Sequence, residues 1–185
     1  MEKTAEKIND EQLMFRLSCN DLEALKELFQ LHSGNIFKFA VRILKNSTEA
    51  DDIVQDVFLR IWKYREKYCH QQNFRAWALR ICLNLCLDMK RMQRKNLTGF
   101  ISAFDEGDLP ENSLEETIIT NEQTLIVSKA FYELPFEYQQ LLSLRLDGDL
   151  SVPETAETLG CSIRTVHYKT AMAIDMLKRL AGEKQ

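Results

Sequence analysis

Asp51, Asp52 and Asp56 are the closest approach in this chain to a cluster that could do chemistry. With Gln55 and Leu59 they fall on one side of a stretch with helical periodicity. Three carboxylates on one helix face can hold a metal ion or serve as acid and base, but no histidine stands beside them. A solvated acidic face, or a docking surface for a basic partner with Leu59 adding apolar contact, fits those residue types better. The enzyme alternative is a metal-dependent phosphohydrolase built on these aspartates, which alanine substitution would expose. The three histidines, at 32, 70 and 167, form no triad or metal spacing, and no glycine-rich loop could cradle a phosphate. Five cysteines form no CxxC pair. Cys69 with His70 could begin a zinc site, but it lacks further ligands at metal spacing. Cys82 and Cys86 share a helix face and read as small buried apolar residues. No catalytic residue, metal or cofactor is expected.

The cations point elsewhere. Lys90, Arg91, Arg94 and Lys95 place four positive charges in six residues, with Arg80, Asn84 and Asp88 earlier on the same helix. Cations at a helix C-terminus complement the helix dipole, but this many exceed that role and suit phosphates. A second set, Arg164, Thr165, His167, Tyr168 and Lys169, followed by Lys178 and Arg179, suits base edges and phosphates. A net charge of −4 argues against nucleic acid until its distribution is considered. Residues 96 to 122 hold seven acids and no Lys or Arg; without them, 24 basic residues face 28 − 7 = 21 acids, a balance of +3. Basic faces are thus separated from an acidic connector.

These residues need helices to hold them. Six glycines and three prolines in 185 residues suit an all-α protein. After a polar start over residues 1–8, the pattern predicts a short helix from Asp10 to Ser18 with Leu13, Met14 and Leu17 inward. Asn20 with Glu23 predicts a cap for a helix burying Leu22, Leu25, Leu28 and Phe29. That pattern resumes through Ile36, Phe37, Ala40, Val41 and Leu44, with a bend near Gly34. Thr48 with Asp51 predicts the cap of a helix from Glu49 to about Lys63, whose Ala50, Ile53, Val54, Val57, Phe58, Ile61 and Trp62 repeat at i, i+3, i+4. A loop from Tyr64 leads to Asn73, the expected cap of a helix reaching about Arg94. Its stripe is Phe74, Trp77, Ala78, Ile81, Cys82, Leu85 and Cys86. Helices follow at Gln123–Glu133, stopped by Leu134-Pro135, and at Phe136–Leu146.

The last stretch is the most constrained. Ser151 and Glu154 form a capping box, and Pro153 sits in the first turn where its missing N–H costs nothing. Ala156 allows a close helix crossing, Gly160 supplies a left-handed turn, Ser162 caps a second helix and Val166 packs back. Small residue, glycine four later and aliphatic six later still is helix-turn-helix spacing. An ordinary helical hairpin would share it, but not the basic outer face. The expectation is two small helical domains, 1–95 and 123–185, joined by an acidic flexible linker over 96–122, the second a four-helix helix-turn-helix domain. No signal segment or long apolar run is present, so a reducing, cytoplasmic setting without membrane insertion is expected.

At this point the residues resemble a family. TEADDIVQDVFLRIW, Thr48 to Trp62, resembles the helix by which extracytoplasmic-function (ECF) sigma factors dock on RNA polymerase. FRAWALRICLNLCLDMKR, Phe74 to Arg91, is similar to their promoter-opening helix at Trp77, Ile81, Asn84, Asp88 and Arg91. Leu134 to Ala173 resembles their last conserved region. The resemblance implies binding to core RNA polymerase and recognition of promoter DNA. Asp51, Asp52, Gln55, Asp56 and Leu59 would form the polymerase face. Asn84 and Asp88, with the loop before Phe74, would capture an unstacked base of the melted element, and Arg80, Lys90, Arg91 and Arg94 nearby phosphates. Arg164, Thr165, His167, Tyr168 and Lys169 would enter the major groove at the distal element. An anti-sigma protein is a partner the family commonly has. Here His167, Met172 and Ala173 dilute the usual basic character, Thr155 replaces an aliphatic core residue, and Pro153 replaces a plain helix former. A free-standing helix-turn-helix regulator is the alternative, but no surplus segment remains to dimerise it.

Overall fold

The computed structural model describes residues 2–68, 73–101 and 122–182. Every regular element among them is helical: α1 (Glu2–Ser18), α2 (Leu22–Leu44), α3 (Ser47–Tyr64), a 3₁₀ turn at Arg65–Lys67, α4 (Phe74–Ile101), α5 (Glu122–Glu133), α6 (Phe136–Leu146), α7 (Val152–Leu159) and α8 (Ile163–Gly182). They form two compact units, α1–α4 and α5–α8.

In the first unit α2 is the central helix, packed by α1, α3 and α4. The inward residues of α1, Leu13, Met14 and Leu17, are buried as their spacing predicts, but the helix begins at Glu2, well before Asp10. Ala5, Glu6 and Lys7 are good helix formers, and nothing in the polar start breaks the helix. Asn20 does not cap α2. It adopts a left-handed φ of 67° in the turn, and Asp21 accepts the Glu23 N–H instead. Adjacent Asn and Asp are near-equal cappers, so spacing alone could not choose between them.

In the first half of α2 the buried face is also rotated from the expected one, whereas Ile36, Ala40 and Leu44 of the second half are buried as expected. Leu28 is buried, but Leu22 and Phe29 are exposed, and Ala24, His32, Phe39 and Ile43 fill the interior. Ala24 lets a neighbouring helix approach closely, whereas leucines occur nearly all round this segment. The helix runs unbroken through Gly34. His32 Nε2 lies 2.7 Å from Asp10 Oδ1, both buried, and its ring packs 4.8 Å from that of Phe74. This polar pair therefore links α1 to α2 beside the start of α4.

Asn46, rather than Thr48, caps α3 by accepting the Glu49 N–H. Ala50, Ile53, Val54, Val57, Phe58 and Ile61 are all buried, as their repeat requires, and Trp62 is partly covered. Asn73 caps α4, accepting the Arg75 N–H at 2.9 Å. α4 continues past Arg94 to Ile101, so the first residues expected in the linker are helical. Residues 102–121 of that expected linker lie outside the described residues, as do Cys69 and His70.

The second unit encloses Phe131, Leu134, Leu141, Leu142, Ala156, Val166 and Ala173. Buried Gln139 donates to the carbonyls of Leu134 at 2.7 Å and Tyr132 at 3.1 Å, satisfying the backbone where Pro135 ends α5. The Ser151–Glu154 capping box forms, with Pro153 in the first turn of α7. Thr155 is fully buried, and its hydroxyl donates to the Ser151 carbonyl at 2.8 Å. That bond satisfies the buried polar group, so a hydroxyl is tolerated in the core here. Gly160 takes φ 64° and its N–H returns to the Ala156 and Glu157 carbonyls, closing α7 so that Ser162 can cap α8 through the Thr165 N–H at 3.1 Å.

Candidate nucleic-acid interface

Three faces carry the candidate residues. On α3 the buried stripe turns Asp51, Asp52, Gln55, Asp56 and Leu59 outward together, and all five are exposed. Leu59 is 64% exposed. A large apolar side chain beside three carboxylates suits a partner that is basic with apolar patches, because burying Leu59 adds affinity that charge alone does not. Among the described residues no group of three or more His, Cys, Asp or Glu is placed to hold a metal ion.

On α4 the expected nucleic-acid residues divide. Arg80, Asn84, Asp88 and Arg91 recur at i, i+4, i+8 and i+11, so they form one exposed row. Asp88 Oδ1 accepts from Arg91 at 3.0 Å, an open surface pair that leaves both groups reachable. Lys90 lies off this row. Burial, followed by nearby Lys45 and Arg94, holds its ammonium below the ordinary lysine range. Lys90 and Lys45 thus make a basic edge near the end of α2, and exposed Arg94, three residues beyond Arg91, joins that edge to the row. The Gln93 amide donates to Glu49 at 2.7 Å and ties this stretch of α4 to the start of α3.

The row has neighbours that the sequence reading assigned otherwise or passed over. Trp77, expected in the core stripe, is only half-buried and shares the side of Arg80 and Asn84. Its ring lies 5.2 Å from that of Tyr68, which is itself buried. Arg65 holds the chain leaving α3: Nε donates to Asn20 Oδ1 at 3.1 Å, Nη1 donates to the Trp62 carbonyl at 2.8 Å, and the guanidinium lies 4.1 Å over the Trp62 ring. Asn20 and Arg65 are 45 residues apart, and no local spacing reveals such a pair.

On α8, Val166 and Ala173 face inward. Arg164, His167 and Tyr168 are exposed on the opposite side, continued by Ala171 and Met172. Thr165 is drawn into the cap, its hydroxyl 2.8 Å from that of Ser162. Lys169 leaves the outer stripe and pairs with Glu137 of α6. The hydrogen bond to Glu137 raises the Lys169 ammonium above its ordinary value. Of five residues expected at the distal element, three thus share the outer face and two serve contacts within the unit.

Helix-turn-helix geometry lies in the second unit, and an acidic face and a polar row in the first; two family models match the chain in the same order. Sigma-70 region 2 matches residues 28–96 and Sigma-70 region 4 matches residues 125–177. ECF RNA polymerase sigma factor SigW of Bacillus subtilis is 23% identical over 171 residues, covering 86% of this chain and 89% of SigW. SigL of Mycobacterium tuberculosis is 24% identical over 156 residues, covering 83% and 86%. The chain belongs to the ECF sigma factors. The fold of this sigma factor is also that of two solved structures. CnrH, in complex with the cytosolic domain of CnrY, has TM-score 0.72 at 22% identity, covering 96% of this chain and 99% of that one. RpoE of Bartonella quintana, in complex with the anti-sigma factor NepR, has TM-score 0.68 at 19% identity, covering 86% and 98%. In the sigma factor the region 2 match takes in most of α2, all of α3 and most of α4, and the region 4 match takes in nearly all of α5–α8.

Proposed function

We propose that this sigma factor binds core RNA polymerase through the outer face of α3 and directs it to promoters, which it recognises and helps to open. The observation that carries this reading is the exposed set Asp51, Asp52, Gln55, Asp56 and Leu59 opposite a fully buried stripe on the same helix. A helix so held presents its carboxylates without rearrangement, which favours a basic partner surface. Asn84 and Asp88 then face an unstacked base of the melted element, with Arg80, Lys90, Arg91 and Arg94 near phosphates. The recognition helix α8 enters the major groove of the distal element with Arg164, His167 and Tyr168 outward. Thr165 and Lys169 support that helix from within the unit. The chain acts by binding and not by catalysis, and works in the cytoplasm, where promoter DNA lies. No described helix is long and apolar enough to cross a membrane. An anti-sigma protein is a further proposed partner, since NepR is one for RpoE of Bartonella quintana.

The test is a charge reversal at the docking face. Asp52→Lys with Asp56→Lys should abolish co-purification with core polymerase, a loss of several kcal/mol or about a thousandfold or more in affinity. Helicity by circular dichroism should be unchanged, because neither side chain is buried. Retained binding by a folded double variant would overturn the assignment of this face.

A further inference from the structure

The base-reading end of α8 is built for contacts that are more apolar than charged. From Ile163 to Met172 the only Lys or Arg residues are Arg164 and Lys169, and Lys169 is held by Glu137. The outer stripe at i, i+3, i+4, i+7 and i+8 is Arg164, His167, Tyr168, Ala171 and Met172. Tyr168 is 64% exposed, Met172 36%, and Ile163 at the helix start 49%. None of this apolar surface is needed by the unit's own core, which Val166 and Ala173 complete from the other side. One turn further along, Asp175 pairs with Arg179 at 2.6 Å. Beyond Met172 the outer stripe thus continues as a matched charge pair and not as apolar surface.

A major groove offers one apolar group, the C5-methyl of thymine. We infer that the distal promoter element is read by this sigma factor chiefly through thymine methyl groups packed against Tyr168, Ala171 and Met172. Arg164 supplies the polar anchor, its guanidinium fitting O6 and N7 of a guanine. This inference rests on the promoter-recognition reading above. It gives the pale charge of α8 a purpose: specificity comes from shape and methyl burial, while phosphate attraction is left to other basic surfaces.

The experiment uses holoenzyme assembled from core polymerase and the full chain, with a duplex library randomised across the promoter elements. The enriched duplex is then remade with deoxyuridine replacing each thymidine of the distal element in turn, which removes only the C5-methyl. Each contacted methyl should weaken binding about fourfold when removed. Holoenzymes carrying Tyr168→Ala or Met172→Ala should bind the thymidine and deoxyuridine duplexes equally at the position each side chain reads, whereas Arg164→Ala should retain the difference. Equal wild-type affinity for both duplexes would overturn the inference while leaving promoter recognition intact. So would an enriched distal element without thymine on either strand. Failure to enrich any distal element would overturn promoter recognition by α8 and this inference together.

Discussion

Lys169 would find an anion either in a DNA phosphate or in a neighbouring carboxylate, and Glu137 already provides the second. A pair this open contributes within about 1 kcal/mol to the stability of its unit. Its sign with pH follows from the raised lysine value. The contribution is complete below the ordinary lysine range and is lost only as pH rises through the raised value, so the pair is intact at neutral pH. Lys169→Ala should therefore leave the salt dependence of holoenzyme–promoter binding unchanged, whereas removing a true phosphate contact lowers the slope by about one ion. A drop of that size would return Lys169 to the DNA. Asn84 presents the opposite case, an uncharged side chain on an exposed row. Asn84→Ala should cost about 1–3 kcal/mol of discrimination at one position of the melted element, with the salt slope unaltered. Binding measured on templates permuted position by position decides it, and an equal loss on all templates would remove the base-capture role.

Helices carry their own tests. Gly34 lies inside α2 with no atom within 4 Å of where a Cβ would stand, so Gly34→Ala should stabilise the protein by about 0.5–1 kcal/mol. Gly160 has equal room but a φ of +64°, so Gly160→Ala should destabilise it by about 1–2 kcal/mol. Thermal unfolding of the two variants should thus shift in opposite directions, and a shared direction would mean that space, not backbone conformation, governs both sites. α3 and α7 were legible in the sequence because their information is local: an unbroken stripe in one, a reciprocal cap and a turn glycine in the other. The rotation in the first half of α2 was not, since its leucines occupy several faces and only the neighbouring helices decide which is covered. The acidic face of α3 and the Arg80–Asn84–Asp88–Arg91 row were legible for the same local reason. Trp77 and Ile81 lie half-buried at the edge of their stripe, and an i, i+3, i+4 pattern cannot tell the edge of a buried stripe from its centre. The partners of Lys169 and Arg65 stand 32 and 45 residues away, and no window on the sequence joins them.

At the scale of the whole molecule, each unit closes a core of its own. The first packs α1, α3 and α4 against α2, and the second gathers Phe131, Leu141, Val166 and Ala173. The two units should therefore survive separation from one another. Brief proteolysis should cut between Ile101 and Glu122 first and leave two fragments, α1–α4 and α5–α8, that each keep a helical spectrum. Uniform resistance, or one surviving fragment, would mean that the units depend on each other. Cys82 and Cys86 add a means of following the first unit while it is intact. Both are fully buried in α4, and the hydrogen bond with Cys86 together with burial holds the Cys82 thiol well above its ordinary value. The thiolate must reach and attack the alkylating reagent, and both sulfurs are buried, so neither can react until α4 swings away from its neighbours. Exposed Cys19 should be labelled first, while Cys82 and Cys86 should follow at the frequency with which the unit opens. Mass spectrometry of the two α4 sulfurs then times that breathing without a probe being added, and docking on polymerase should slow the clock.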